Sequence, residues 1–110
     1  MSKLFLVILK YIAPLEEIDK YRSEHLKYLE QYYQENIFIA SGPQIPRFGG
    51  VIMARVENRK KLYKIIAKDP FNKNLCAEYQ IHEFEVTNSI PAFQYFLETI
   101  NIKKENINAR

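Results

Sequence analysis

The 110 residues contain no tryptophan, one cysteine, 3 glycines and 5 prolines. A single thiol, Cys76, cannot close an internal disulfide, which fits a reducing compartment better than secretion. So little glycine and proline excludes collagen-like and linker-dominated chains. No stretch reaches the roughly 18 apolar residues that a membrane-crossing helix needs. An excess of one charge is missing too: 16 basic against 13 acidic residues leave +3, dispersed along the chain. Arg59-Lys60-Lys61 with Lys64 and Lys68 reads as a solvated helix face rather than a nucleic-acid patch. With only His25 and His82, and no cysteine pair, a zinc site is not expected. Nor is there a glycine loop that would cradle phosphates, so no metal and no cofactor is expected.

What is present is apolar bulk: 47% hydrophobic residues, with 7 Phe and 8 Tyr. That suffices for one domain with its own core. The opening run Leu4–Leu9 superficially resembles a signal peptide. It is short for that role, Lys10 interrupts it, and no small-residue cleavage site follows. It reads as a strand, and the expected location is the cytoplasm.

The Leu4–Leu9 run, unbroken in apolar character, suits a strand buried on both faces. Pro14 can occupy a first helical turn, with Glu16 and Glu17 favouring the positive end of the helix dipole. Ile18, Tyr21, Arg22, His25, Leu26, Leu29, Tyr32 and Tyr33 then recur at helical spacing. Ile37–Ala40 reads as a second strand closed by a Ser41-Gly42-Pro43 turn, and Val51–Val56 as a third. Asn58 is a candidate N-cap for a helix bearing Leu62, Ile65 and Ile66, which Asp69-Pro70 stops. Ala77–Val86 makes a fourth strand. Ile90-Pro91 opens a helix with Phe93, Phe96, Leu97 and Ile100 on one stripe, and the polar tail from Asn101 is expected to fray. The order βαββαβ plus a C-terminal helix predicts an α+β, ferredoxin-like fold with a four-stranded antiparallel sheet. Residues 1–88 form the core domain, and 89–110 the added helix and tail.

Both faces of the first and third strands are apolar, and an open apolar face of several hundred Å² is unusual on a monomer. The second face therefore needs a cover. A second copy in a two-fold dimer is the simplest one, and the C-terminal helix is the competitor.

Two residues attract a chemical reading, each beside a plainer one. His25 lies on the buried stripe of the first helix, where histidine is often only a hydrogen-bonded core residue; yet imidazole exchanges protons near neutral pH. Asp69 before proline is a natural N-cap. Ser41-Gly42-Pro43 is an ordinary turn, although Gly42 would let backbone approach a ligand closely. Cys76 lacks an evident activating partner and reads as a packed thiol.

Taken in order, Arg22-x-x-His25-Leu26-x-x-Leu29, Ser41-Gly42-Pro43, Gly49-Gly50-Val51-Ile52-Met53 and Asp69-Pro70-Phe71 resemble the YciI-like, or YCII-related, family over about Lys3 to Val86. The resemblance implies a ferredoxin-like fold paired through its sheets as a dimeric α+β barrel, with higher oligomers open. It also implies that His25 and Asp69 form a catalytic pair in a cleft, with Arg22, Ser41, Gly42, Pro43 and Phe71 as the substrate-binding surroundings. A carboxylate on one imidazole nitrogen fixes the tautomer, leaving the other nitrogen to move a proton. Arg22 would hold a carboxylate or phenolate. Related members suggest cofactor-free lyase or dehydrochlorinase chemistry on small oxygenated rings. The chain departs from the family in Phe84, where tryptophan is frequent, and in the segment from Ser89 onward.

Three functions compete. One is a small enzyme using His25 as proton shuttle and Asp69 as its orienter. A second is a non-catalytic dimer that binds or senses a small metabolite in the same cleft. The third, RNA binding, needs stacking aromatics on the central strands, where Val51, Met53 and Arg55 stand instead. The expected partners are thus a small molecule and a second copy, without nucleic acid or membrane.

Overall fold

The computed structural model describes residues 2–102. Strand β1 (Ser2–Tyr11) leads into helix α1 (Leu15–Gln34), and β2 (Phe38–Pro43) and β3 (Gly49–Ala54) follow. Helix α2 (Arg59–Ile66), a single turn α3 (Pro70–Lys73), strand β4 (Ala77–Val86) and helix α4 (Pro91–Thr99) complete the order. The sheet order is β2-β3-β1-β4 with every neighbouring pair antiparallel. This is the ferredoxin-like α+β arrangement expected from the sequence, with α3 as an extra turn in the second crossover.

The unbroken apolar run of β1 follows from its place. It pairs with β3 on one side and β4 on the other, so no edge is left to water. Phe5, Val7 and Leu9 are fully buried in the core with Ile18, Leu29, Ile52 and Leu62. Leu6 and Ile8 on the opposite face, with their β3 neighbours Met53 and Val51, are only half-buried. On β4 that face turns polar at Gln80 and His82 before Phe84.

Several features differ from the sequence reading, among them the end of the third strand at Ala54 rather than Val56. Pro14 is the extended N-cap of α1 rather than its first turn, because the helix begins at Leu15. Ser41, Gly42 and Pro43 are not a turn but the end of β2, paired with Ile52, Val51 and Gly50 after a register shift between Phe38 and Ala40. Proline is tolerated there because β2 is an edge strand, where a missing N–H need not break the ladder. The third strand starts at Gly49, two residues early, because Gly49 and Gly50 pair with Lys10 and Leu9 on β1. A Cβ on Gly49 would lie 1.7 Å from the Leu9 carbonyl oxygen, so a side chain would force β1 and β3 apart. Asn101 and Ile102, the first two residues of the tail expected to fray, are tied down. The Asn101 carbonyl accepts from Asn36 Nδ2 at 3.0 Å, and Ile102 packs against the core. Residues 103–110 of that tail lie outside the described residues.

Helices α1 and α3 end in the same way. Asn36 N–H donates to Tyr33 O and Ile37 N–H to Tyr32 O; Leu75 N–H donates to Asn72 O and Cys76 N–H to Phe71 O. Both are Schellman caps, with Asn36 (φ 60°) and Leu75 (φ 55°) in the left-handed position. Asparagine suits that conformation, whereas a leucine there is strained. The second cap turns the chain straight from α3 into β4.

Helix α4 sits where β1 begins and β3 and β4 end. Arg55, just past β3, is buried, lies 4.7 Å from the Phe96 ring centroid and donates to the Ile100 carbonyl. Leu4 is buried at this end. No residue of α4 is itself buried, so the helix covers one end of the second face and leaves its own apolar stripe half-exposed.

Candidate functional site

His25 is brought to the site by α1, one turn after Arg22 and one before Leu29. Its Nδ1 lies 2.7 Å from Asp69 Oδ1. Phe71 stacks on the imidazole with ring centroids 4.0 Å apart and planes 12° from parallel. The ring is therefore fixed both in plane and in rotation.

Asp69 is the N-cap that the sequence offered, and the same side chain meets His25. As N-cap of α3 its Oδ1 accepts from Phe71 N–H at 3.0 Å, and the same oxygen meets His25. The second oxygen, Oδ2, accepts from Tyr79 O–H at 2.8 Å. The side chain has no exposed surface. An ionised carboxylate is acceptor-only, and three donors converge on this one from α1, α3 and β4. With Nδ1–H given to Asp69, the Nε2 of His25 makes no hydrogen bond among the described residues.

The imidazole lies at the wall of a cleft of about 410 Å³ between α1 and the ends of β1, β2 and β3. Arg22, Ser41, Gly42, Pro43 and Phe71 line the same cleft, and Asp69 lies behind it. Leu9, Leu26, Leu29, Val51 and Ile52 supply apolar walls, while Tyr11 and Arg47 complete the polar set. Ser41 is held by a short hydrogen bond to Tyr33 Oη. A Cβ on Gly42 would meet no atom within 4 Å, so the glycine keeps open space beside the cleft. Phe71 is 2% exposed and contributes mainly as the platform beneath His25. The cleft volume is that of a site for a small molecule.

Tyr79 and Arg47 were not anticipated from the sequence. Tyr79 stands in an alternating strand where tyrosine usually packs, and only the Leu9↔Tyr79 register turns it toward the helices. Arg47 belongs to an irregular loop without periodicity. Tyr28, another core residue absent from the expected α1 stripe, donates to the Ile65 carbonyl at 2.9 Å and ties α1 to α2.

Burial, and next the negative charge of Asp69, push the Tyr79 hydroxyl far above its ordinary value, and Tyr28 is raised by the same two causes. Burial likewise raises the Cys76 thiol, in keeping with a packed side chain. The tyrosines carry a consequence for stability. Above about pH 10 the unfolded chain loses phenolic protons that the folded chain retains, so stability falls as pH rises. Urea denaturation at pH 9 and pH 11 should show a steep loss for the native sequence and a distinctly shallower one for Tyr79→Phe. Equal losses would contradict the assignment of Tyr79 as a buried donor to Asp69.

A four-stranded antiparallel sheet with a His–Asp pair beside a small cleft defines a ferredoxin-like α+β protein with a small-molecule-sized site. The model of the YCII-related domain family matches residues 4–85, and the chain belongs to that family. Among solved structures it is similar to 5-chloro-2-hydroxyhydroquinone dehydrochlorinase from Burkholderia phenoliruptrix AC1100, in complex with 2,5-dihydroxybenzoquinone. The TM-score is 0.67 at 19% identity, covering 74% of this chain and 93% of that one. Comparison with curated proteins finds no match. No helix among the described residues is long and apolar enough to cross a membrane.

Proposed function

We propose that the chain is a cofactor-free enzyme of lyase type, in which His25 moves a proton on a small oxygenated ring or carboxylate-bearing substrate. The observation that carries this reading is the 2.7 Å contact between His25 Nδ1 and the buried Asp69, which leaves Nε2 as the available base on the cleft wall. In an elimination, Nε2 takes a proton from a substrate C–H or O–H. The released electron pair moves into the ring, and the leaving group departs with its own bonding pair as an anion. Asp69 supports the imidazolium so formed, which then returns its proton to solvent. Tyr79 and Phe71 N–H position Asp69, Phe71 positions the imidazole, and Arg22 steadies developing negative charge on substrate oxygen. A dehydrochlorinase with similar fold, complexed with a dihydroxybenzoquinone, supports the choice of ring chemistry.

The test is direct. Incubation with 5-chloro-2-hydroxyhydroquinone or related hydroxylated rings should release the leaving group faster with the native chain than with His25→Ala. Ligand-induced thermal stabilisation without turnover in either form would favour the second reading, a metabolite-binding or sensing protein. That alternative draws on the same cleft, since the walls bind whether or not Nε2 acts.

The assembly follows the same reading. Leu6, Ile8, Val51 and Met53 on the open face, together with the half-exposed stripe of α4, meet a second copy of the chain. Sedimentation equilibrium should give a dimer, and Met53→Glu should shift it toward monomer. A monomer at tens of micromolar for the native chain would refute this.

A further inference from the structure

Among the described residues, the charged side chains lining the cleft besides the imidazole are Arg22 and Arg47, with no aspartate or glutamate. They arrive from different elements: Arg22 from α1, Arg47 from the loop between β2 and β3. Arg22 makes no ion pair among the described residues. Arg47 Nη2 lies 2.7 Å from Asp19 Oδ1, with its guanidinium 5.8 Å from the Tyr11 ring centroid. The Arg47–Asp19 pair straps the loop onto α1, and both side chains stay substantially exposed, 36% and 56%. A pair so accessible to water is weak and readily exchanged. A guanidinium offers a planar fork that matches a carboxylate, and such contacts strengthen where water is excluded.

Resting on the reading of the cleft as the ligand site, we propose that it selects small rings bearing two anionic oxygen groups, one clamped by Arg22 and the other by Arg47. Asp19 holds Arg47 until the second group displaces it. The apolar walls from Leu9, Leu29 and Ile52 take the ring, and the guanidinium groups take its substituents. A ligand with one anionic group satisfies one arginine and leaves Arg47 with Asp19. Arg47 is thereby a specificity-determining residue, and Asp19 a competitor that sets how readily it is released.

Calorimetric titration of the native chain with benzoate and with the three benzenedicarboxylates, at fixed ionic strength, tests the clamp. At least one dicarboxylate should bind about tenfold more tightly than benzoate. Arg47→Ala and Arg22→Ala should each erase that preference. Lys60→Ala, an equal charge change on the exposed face of α2, should leave it intact. Asp19→Asn should tighten dicarboxylate binding several-fold while leaving benzoate unchanged. If the dicarboxylates bind but show no preference, or if Lys60→Ala weakens it as much as Arg47→Ala, the clamp is wrong and the cleft reading survives. If none of these acids binds, both fall. A preference erased by Arg47→Ala in a protein that turns nothing over upholds the clamp and removes only the proton-transfer reading.

Discussion

Asp69→Ala is expected to lower the unfolding free energy by about 3–5 kcal/mol, the largest stability loss of any single change near the cleft. The carboxylate has no exposed surface, and the His25 Nδ1–H, Phe71 N–H and Tyr79 O–H groups converge on it. Truncation leaves donors from α1, α3 and β4 without an acceptor in a place that water does not readily reach. For a domain of this size the thermal midpoint should fall by roughly 10–20 °C. Asp69→Asn separates the two roles of the side chain. Its carbonyl oxygen can still accept from Phe71 and His25, and its amide can donate to the Tyr79 oxygen, so most of the stability should remain. The charge that supports an imidazolium is gone, however, and turnover should drop by about 10³–10⁴. A variant as unstable as Asp69→Ala would show that charge, not hydrogen bonding, holds this junction. Asp69→Asn with native turnover would remove Asp69 from the chemistry.

The second large effect belongs to His25. His25→Ala removes the only imidazole on the cleft wall, and turnover should fall by about 10²–10⁴, the range for loss of a general base. Ligand affinity should change far less, because the arginines and apolar walls remain. Since His25→Ala also opens a gap above Phe71 and leaves Asp69 one donor short, His25→Gln provides the control. Its amide can donate to Asp69 but cannot take up a proton. Both variants should bind ligand, and both should show that fall in turnover. Undiminished turnover in folded His25→Gln would end the proposed role of the imidazole.

The contrast between what was legible and what was not follows the range of the interactions. The β1 run, β4 and most of the α1 stripe were readable because apolar patterning reflects local backbone geometry, although Leu26 of that stripe is exposed and Tyr28 is buried in its place. The Asn58 cap was readable because its side chain accepts from Lys61 N–H only three residues on. Two of the errors fell at Ser41–Pro43 and Gly49–Gly50, where turn-forming residues are held in strand by pairing with Val51, Ile52 and Leu9. Turn propensity is weak against a ladder supplied by distant chain. His25 and Asp69 were singled out as candidates through ordered motifs. Their spacing alone left each with an ordinary structural reading, and for Asp69 the fold shows the cap.

Composition and periodicity by themselves determined a single αβ domain, the order of its strands and helices, and an apolar stripe carrying one histidine. Tertiary structure alone decided that residues 44 apart in sequence, His25 and Asp69, meet at 2.7 Å, that Tyr79 closes the same junction, and that Arg47 crosses to Asp19 beside the cleft. The reason is physical: short-range propensity acts over a few residues and fixes local form. The facing of side chains across a sheet depends on register, and a one-residue shift in β4 would turn Tyr79 to the opposite side.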